Sequence, residues 1–318
     1  GVVDGGQGGQ GAAAYDEAVE KGCSTERLRV PGVKMFMDGV IEYPAQTAAL
    51  IDPYLEKVGD EWVPGSNRGD IYFTQKQANR FVTRFDRMNR RIHVHAIGDR
   101  AAKVALNAAA AARKANRSAR RDNIAIAHLQ LVDPSDYGRF AKLGVYADMQ
   151  LQWAVSDFWT EDALHPFIGD ERYNRLYPAR SLVKAGAPFA MGSDWPVDPL
   201  NPWNEIMTAN TRRNDYGGLL LANQSIPVAT ALRAHTLGSA RQLGISGKVG
   251  SVTVGKDADL IVINRNPLKA RPGSIDKTRV LRTIIRGRTV YTPGPGSSAL
   301  ISRAASLSTG EAGHDHGH

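Results

Sequence analysis

The chain has 318 residues, 42% of them hydrophobic, enough for one large domain, or a large and a small one, each with its own core. Forty Lys and Arg against 32 Asp and Glu give a net charge of +8, but the basic residues gather mainly in ARKANRSARRD (112–122), with no aromatic interleaving and no binding motif, which argues against a nucleic-acid partner. The single cysteine, Cys23, excludes an internal disulfide framework, and no apolar run reaches the roughly 18 residues needed to span a membrane.

Taken in chain order, residues 1–27 open on GVVDGGQGGQG, which starts at Gly1 and cannot bury a core; a flexible end, or a break in a longer chain, is expected there. Without a recognisable leader a cytoplasmic location is favoured, although a leader lying before Gly1 would escape notice. Residues 28–245 alternate apolar runs with helical stretches. The runs are 28–39, 91–99, 123–130, 144–150 and 188–194. Helices are predicted over 74–89, where Ala78, Phe81, Val82, Phe85 and Met88 share one face, over the alanine-rich 99–115, and over 133–144, which Asp133-Pro134 starts and Gly144 stops. Such alternation implies a parallel sheet with helical crossovers. Five strands are visible, so the reading is an open sheet or the back half of an eight-stranded barrel.

Residues 246–293 change texture. SVTVGKDADLIVINR and RVLRTIIRGRTVY are β-branched runs broken by Gly, Pro and Asp, offering about three strands of a small β module. A sheet of that size is marginal alone, so the module is expected to need further strands. The tail 294–318 is Gly-, Ser- and Ala-rich and ends in GHDHGH; it reads as a disordered, His-containing tail without a catalytic part.

Four of the strand-like runs carry a metal-capable polar residue: Lys34, His95, His128 and Asp194. In a parallel α/β array the carboxyl ends of the strands share one mouth, where such groups meet. His93 lies two residues before His95 and points to the same side, but deeper, so it reads as a core residue or a support for its neighbour.

The stretches VKMFMDG, TAALIDPY, HVHAIGDRA, IAHLQLVDPSDYGRFAKLGV, GSDWPVDPLNPW and GKVGSVTVGKDADLIVINRNPL resemble the amidohydrolase superfamily. Within it, the chain resembles amidohydrolase family 3, the branch of metal-dependent hydrolases that includes N-substituted formamide deformylase. The resemblance implies a TIM-like (β/α)8 barrel, of which this chain holds strands four to eight, plus part of a small β-sandwich module. It implies that Lys34 bridges metals as a carbamate made with CO₂, that His95 and His128 are the ligands of strands five and six, and that Asp194 binds metal and takes a proton from water. Imidazole and carboxylate suit a divalent ion such as Zn²⁺, one or two per complete site. Trp153, Asp38, Arg172 and Trp195 are candidate substrate contacts, and Asp99 also matches a family position.

The resemblance also implies a His-x-His pair on strand one, and nothing before Lys34 supplies it. In MQLQWAVSD (149–157), Leu151 and Trp153 stand where the family commonly shows Pro and His. The expected activity is hydrolysis of a small-molecule amide, N-acyl or N-formyl, by metal-activated hydroxide. The alternatives are hydrolytic deamination on the same scaffold, or an inactive fragment or partner subunit. This chain alone is expected to hold at most one catalytic metal and to require the N-terminal half of the same protein; a homo-oligomer is possible.

Overall fold

The computed structural model describes residues 2–3, 30–117 and 121–294, with only the backbone at 2–3. Strand β1 is Val2–Val3, β2 Gly32–Phe36, β3 Leu55–Val58, β4 Glu61–Pro64, β5 Arg91–Ala96, β6 Ile124–His128, β7 Val145–Met149 and β8 Phe189–Met191; β9 Leu260–Ile263, β10 Val280–Ile285 and β11 Arg288–Tyr291 follow. A six-stranded sheet has the order β1-β2-β5-β6-β7-β8, and all its pairings are parallel. Its five longer-separated strands, β2 and β5–β8, fall inside the five apolar runs. The architecture is that of an α/β, TIM-like sheet with helical crossovers.

Of the expected flexible end over 1–27, Val2–Val3 is instead a strand in parallel register with Lys34 and Met35. Ladder hydrogen bonds need only backbone, so two valines suffice despite the glycines around them. The rest of 1–27, including Cys23, lies outside the described residues, as does the tail from 295.

Alternation decides which side chains enter the sheet's concave face. Val33, Met35, Ile92, Val94, Ile124 and Ile126 are buried under the helices. The register then sets Lys34 beside His93 and Phe36 beside His95 on the opposite face. Helix Gln75–Arg87 begins with a capping box between Thr74 and Gln77 and buries Ala78, Phe81, Val82 and Phe85. Helix Asp99–Ala115 buries six alanines, Ala101, Ala102, Ala105, Ala108, Ala109 and Ala112, which allow close approach to its neighbour. The basic stretch after it is only partly solvated. Arg113 bonds Asp86, Asn123 and the Leu143 carbonyl, tying this helix to its surroundings.

Two local features depart from the sequence reading. β3 and β4 form an antiparallel hairpin around Gly59, whose φ of 63° suits a tight turn. In the small module the sheet order is β11-β10-β9, but Ser251–Val254 is not a strand, and Val252 and Val254 stand exposed. A β-branched run has no ladder without a partner strand. No helix among the described residues is long and apolar enough to cross a membrane.

Candidate metal centre

The mouth of the sheet is assembled by backbone turns that follow β2, β5, β6 and β8. After β2, Asp38 is fully buried. Its carboxylate accepts hydrogen bonds from the amides of Ala49 at 3.0 Å, Ile97 at 3.0 Å and Gly98 at 2.8 Å. This clasps the end of β2 to the end of β5. Burial pushes the Asp38 carboxyl up to about 7, against the lowering effect of the three amides. Gly98 is required at this junction, because a Cβ there would meet the Ala49 carbonyl oxygen at 2.1 Å. Replacing Asp38 with Ala would orphan three buried N–H groups, each worth about 1–3 kcal/mol. The expected loss of stability is about 3 kcal/mol or more, measured by denaturant unfolding; a loss below about 1 kcal/mol would show that the clasp is dispensable.

The clasp also aligns His95. Its Nε2 lies 3.0 Å from the Gly39 carbonyl and 3.5 Å from Asp38 Oδ1. A carbonyl accepts only, so Nε2 carries the proton and donates, leaving Nδ1 with its lone pair. Phe36 packs on the ring at a centroid distance of 4.8 Å. Burial pushes the imidazole down to about 4, with the charge of Lys34 adding to the fall. His95 is therefore neutral near neutral pH, the form that binds metal.

His128 ends β6 with φ 76°, and Leu129 follows at 53°, both left-handed. The Gln150 side-chain oxygen accepts from the His128 amide at 3.1 Å and holds this turn. The ring of His128 lies 4.4 Å from that of His95 and stacks on Trp153 at 5.6 Å. It is 3% exposed, and neither ring nitrogen has a hydrogen-bond partner. Burial holds it well below the usual imidazole range, with His95 and Lys34 contributing. Two unpartnered nitrogens this deep cost free energy unless something satisfies them.

Lys34 Nζ lies over the Phe36 ring, 4.9 Å from its centroid. Asp38 bonds backbone amides instead of Lys34. His93 Nδ1 lies 3.3 Å from Gln242 Nε2 and 3.8 Å from Asp148, so it belongs to a polar cluster inside the sheet. Asp194 follows β8 in a left-handed conformation, φ 56°, and is half-buried. Gln152 donates to the neighbouring Ser193 carbonyl at 2.9 Å. Burial lowers His93, while Asp148 and then Asp194 oppose that shift, which brings the Asp194 carboxylate within electrostatic reach of the cluster.

The structure thus brings His95 and His128 together, with Lys34 close enough to act on both. Among the described residues no group of three or more His, Cys, Asp or Glu is gathered as a cation cage. The paired neutral imidazoles fit metal as donors; Asp194 is not drawn up to them. Of the other candidates, Trp153 walls a cavity and Trp195 is 63% exposed. Asp38 and Asp99 are buried in backbone bonding; Asp99 accepts from Ile51 and Arg100 amides at 2.8 and 2.9 Å. Arg172 donates to the carbonyls of Asp52, Pro53 and Ile168 and is turned to loop bracing.

A cavity of about 420 Å³ is lined in part by Gln130, Gln152, Tyr177 and Trp153, the ring that stacks on His128. Sequence reasoning had singled out only Trp153 of these. Gln130 and Gln152 lie two and three residues past the ends of β6 and β7, a placement that could have flagged them; Tyr177 had no such signal.

Comparison with known proteins agrees with this architecture. The model of the amidohydrolase family matches residues 2–291. The putative amidohydrolase YtcJ of Bacillus subtilis is 28% identical over 87% of this chain and 51% of its own length. N-substituted formamide deformylase of Arthrobacter pascens is 25% identical over 82% of this chain and 45% of its own. An uncharacterized metal-dependent hydrolase from Pyrococcus horikoshii superposes with a TM-score of 0.67 at 27% identity, covering 82% of this chain and 50% of that one. The chain spans about half the length of the curated relatives it matches. From a parallel sheet with paired strand-end histidines and a match across residues 2–291, this chain belongs to the amidohydrolase family.

Proposed function

We propose that this chain carries the metal-binding half-site of a hydrolase that cleaves the C–N bond of an amide. The observation that carries the reading is the contact of His95 with His128: neutral rings 4.4 Å apart, one with its proton fixed away on Gly39, the other with both nitrogens unpartnered. A divalent ion such as zinc, when bound by these imidazoles, would supply Lewis-acid activation of water and of the scissile carbonyl. Lys34 would join the donors as a carbamate, formed when its amine loses its protons and adds CO₂; its free cation disfavours protons and metal at the histidines, whereas a carbamate would reverse that sign. Asp194 receives the proton from water and returns it to the departing nitrogen. Trp153 shields His128 and presents the cavity's aromatic wall. The similarity to an N-substituted formamide deformylase supports an amide over other C–N substrates.

The test is a panel of N-formyl and N-acyl amines incubated with a complete protein that contains this chain, before and after chelation. Amide hydrolysis that chelation abolishes and zinc restores is the expected result. Ammonia released from amino-heterocycles, with every amide intact, would assign a deaminase instead. No metal-dependent turnover by the chain, alone or in a complete protein that contains it, would refute the reading.

A further inference from the structure

The cavity beside the histidines differs in charge from the chain around it. The chain as a whole carries +8, yet the charged side chains lining this cavity are Glu42, Asp157 and Asp198, and among the described residues no Lys, Arg or His lines it. Neutral donors hold each carboxylate. Glu42 accepts from Gln130 Nε2 at 2.9 Å, and the same nitrogen lies 2.7 Å from Tyr177 Oη. Asp157 accepts from the Thr160 amide at 3.0 Å at the start of a short helix. Asp198 accepts from the Trp153 indole. None of the three is in an ion pair among the described residues, so their charge is directed but not neutralised.

The remaining walls are aromatic. Trp153, Trp159 and Tyr216 line the same space, and Trp159 and Tyr216 are 57% and 63% exposed, open to an incoming ligand. Ring faces and uncompensated carboxylates recognise the same partner, a cation with an apolar body. A concave, low-dielectric wall concentrates that field within the cavity. One wall is tied to the histidines: Trp153 stacks on His128, both of whose ring nitrogens are unpartnered.

We infer that this cavity selects an arylalkyl ligand bearing a positive charge, a protonated or quaternary amine, whose amide group is thereby carried toward the histidines. The delivery to the histidines rests on the hydrolase reading; the charge preference does not. The carboxylates hold the ammonium group, and the indole and phenol faces hold the aryl body.

Isothermal titration on the full chain, freed of metal by chelation, tests the preference with three probes of equal shape: 2-phenylethylammonium, 2-phenylethanol and phenylacetate. The cation is expected to bind at least about tenfold more tightly than the alcohol, with phenylacetate weakest and the preference shrinking as salt is added. The triple substitution Glu42→Gln, Asp157→Asn, Asp198→Asn, which removes all three charges, is expected to erase the preference; a thermal melt confirms that the variant is folded. An alcohol or carboxylate that binds as well as the cation, an undetectable cation, or a preference surviving in the folded variant would overturn the inference. Turnover of a cationic and a neutral amide is measured separately on a zinc-loaded complete protein that contains this chain. A cation preference without any hydrolysis would count against the proposed reaction while leaving the charge selectivity standing.

Discussion

Replacing His128 with Ala is expected to lower the chain's affinity for zinc by at least about 100-fold, more than the loss of a supporting partner costs at a metal site. The argument is local. His128 is held in a left-handed turn, with φ 76°, by the Gln150 bond to its amide and by stacking on Trp153. No hydrogen bond satisfies either ring nitrogen. The ring therefore does little for the fold that a smaller apolar group would not do, whereas a metal has only His95 as its nearest other imidazole. His95→Ala should act similarly on zinc but also remove the 3.0 Å bond to Gly39. Competition against a chromophoric chelator measures both. Zinc binding unchanged in His128→Ala would move the centre elsewhere.

Asp194→Asn is expected to reduce amide turnover by roughly 10²- to 10⁴-fold, the usual worth of a positioned general base. The substitution is a clean one. Asp194 sits at φ 56°, a region that Asn tolerates better than other residues. The turn is retained by the bond from the Val197 amide to the Asp194 carbonyl, 2.9 Å, and by the Gln152 tether on Ser193. Only the charge and the proton acceptor are lost. The comparison is made on a zinc-loaded complete protein that contains this chain, with a substrate that its native form turns over; equal rates would transfer the base role to another group.

Much of the scaffold was legible because a buried parallel sheet writes itself as apolar runs. Ile124–His128 and Val145–Met149, buried along their whole length, were readable without any site information. Helix ends were legible where caps are explicit, as at Thr74 and Gly144. Val2–Val3 was not, since two residues among glycines have no periodicity and only the neighbouring β2 makes them a strand. The hairpin around Gly59 left a signal in VGDE that went unused.

The candidate site divides in the same way. Histidines at strand ends follow from alternation; the depth expected of His93 does not, since its side chain is 34% exposed against 10% for His95. The environment of Asp38 does not: its three amide donors come from residues 11, 59 and 60 positions away, and only folding brings them together. The cavity walls were least legible. Glu42, Asp157 and Asp198 come from three separate segments, and their common sign appears only when those segments converge. Arg172 shows the reverse error: a charged residue near a strand end was read as a ligand contact, whereas three backbone carbonyls absorb its donors.

The most direct measurement is anomalous diffraction at the zinc edge from crystals of the full chain grown with zinc and bicarbonate. The account expects one peak at roughly 2.0–2.1 Å from both His95 Nδ1 and a ring nitrogen of His128. A structure with zinc bound elsewhere, or with both rings metal-free and hydrogen-bonded to other groups, would contradict it.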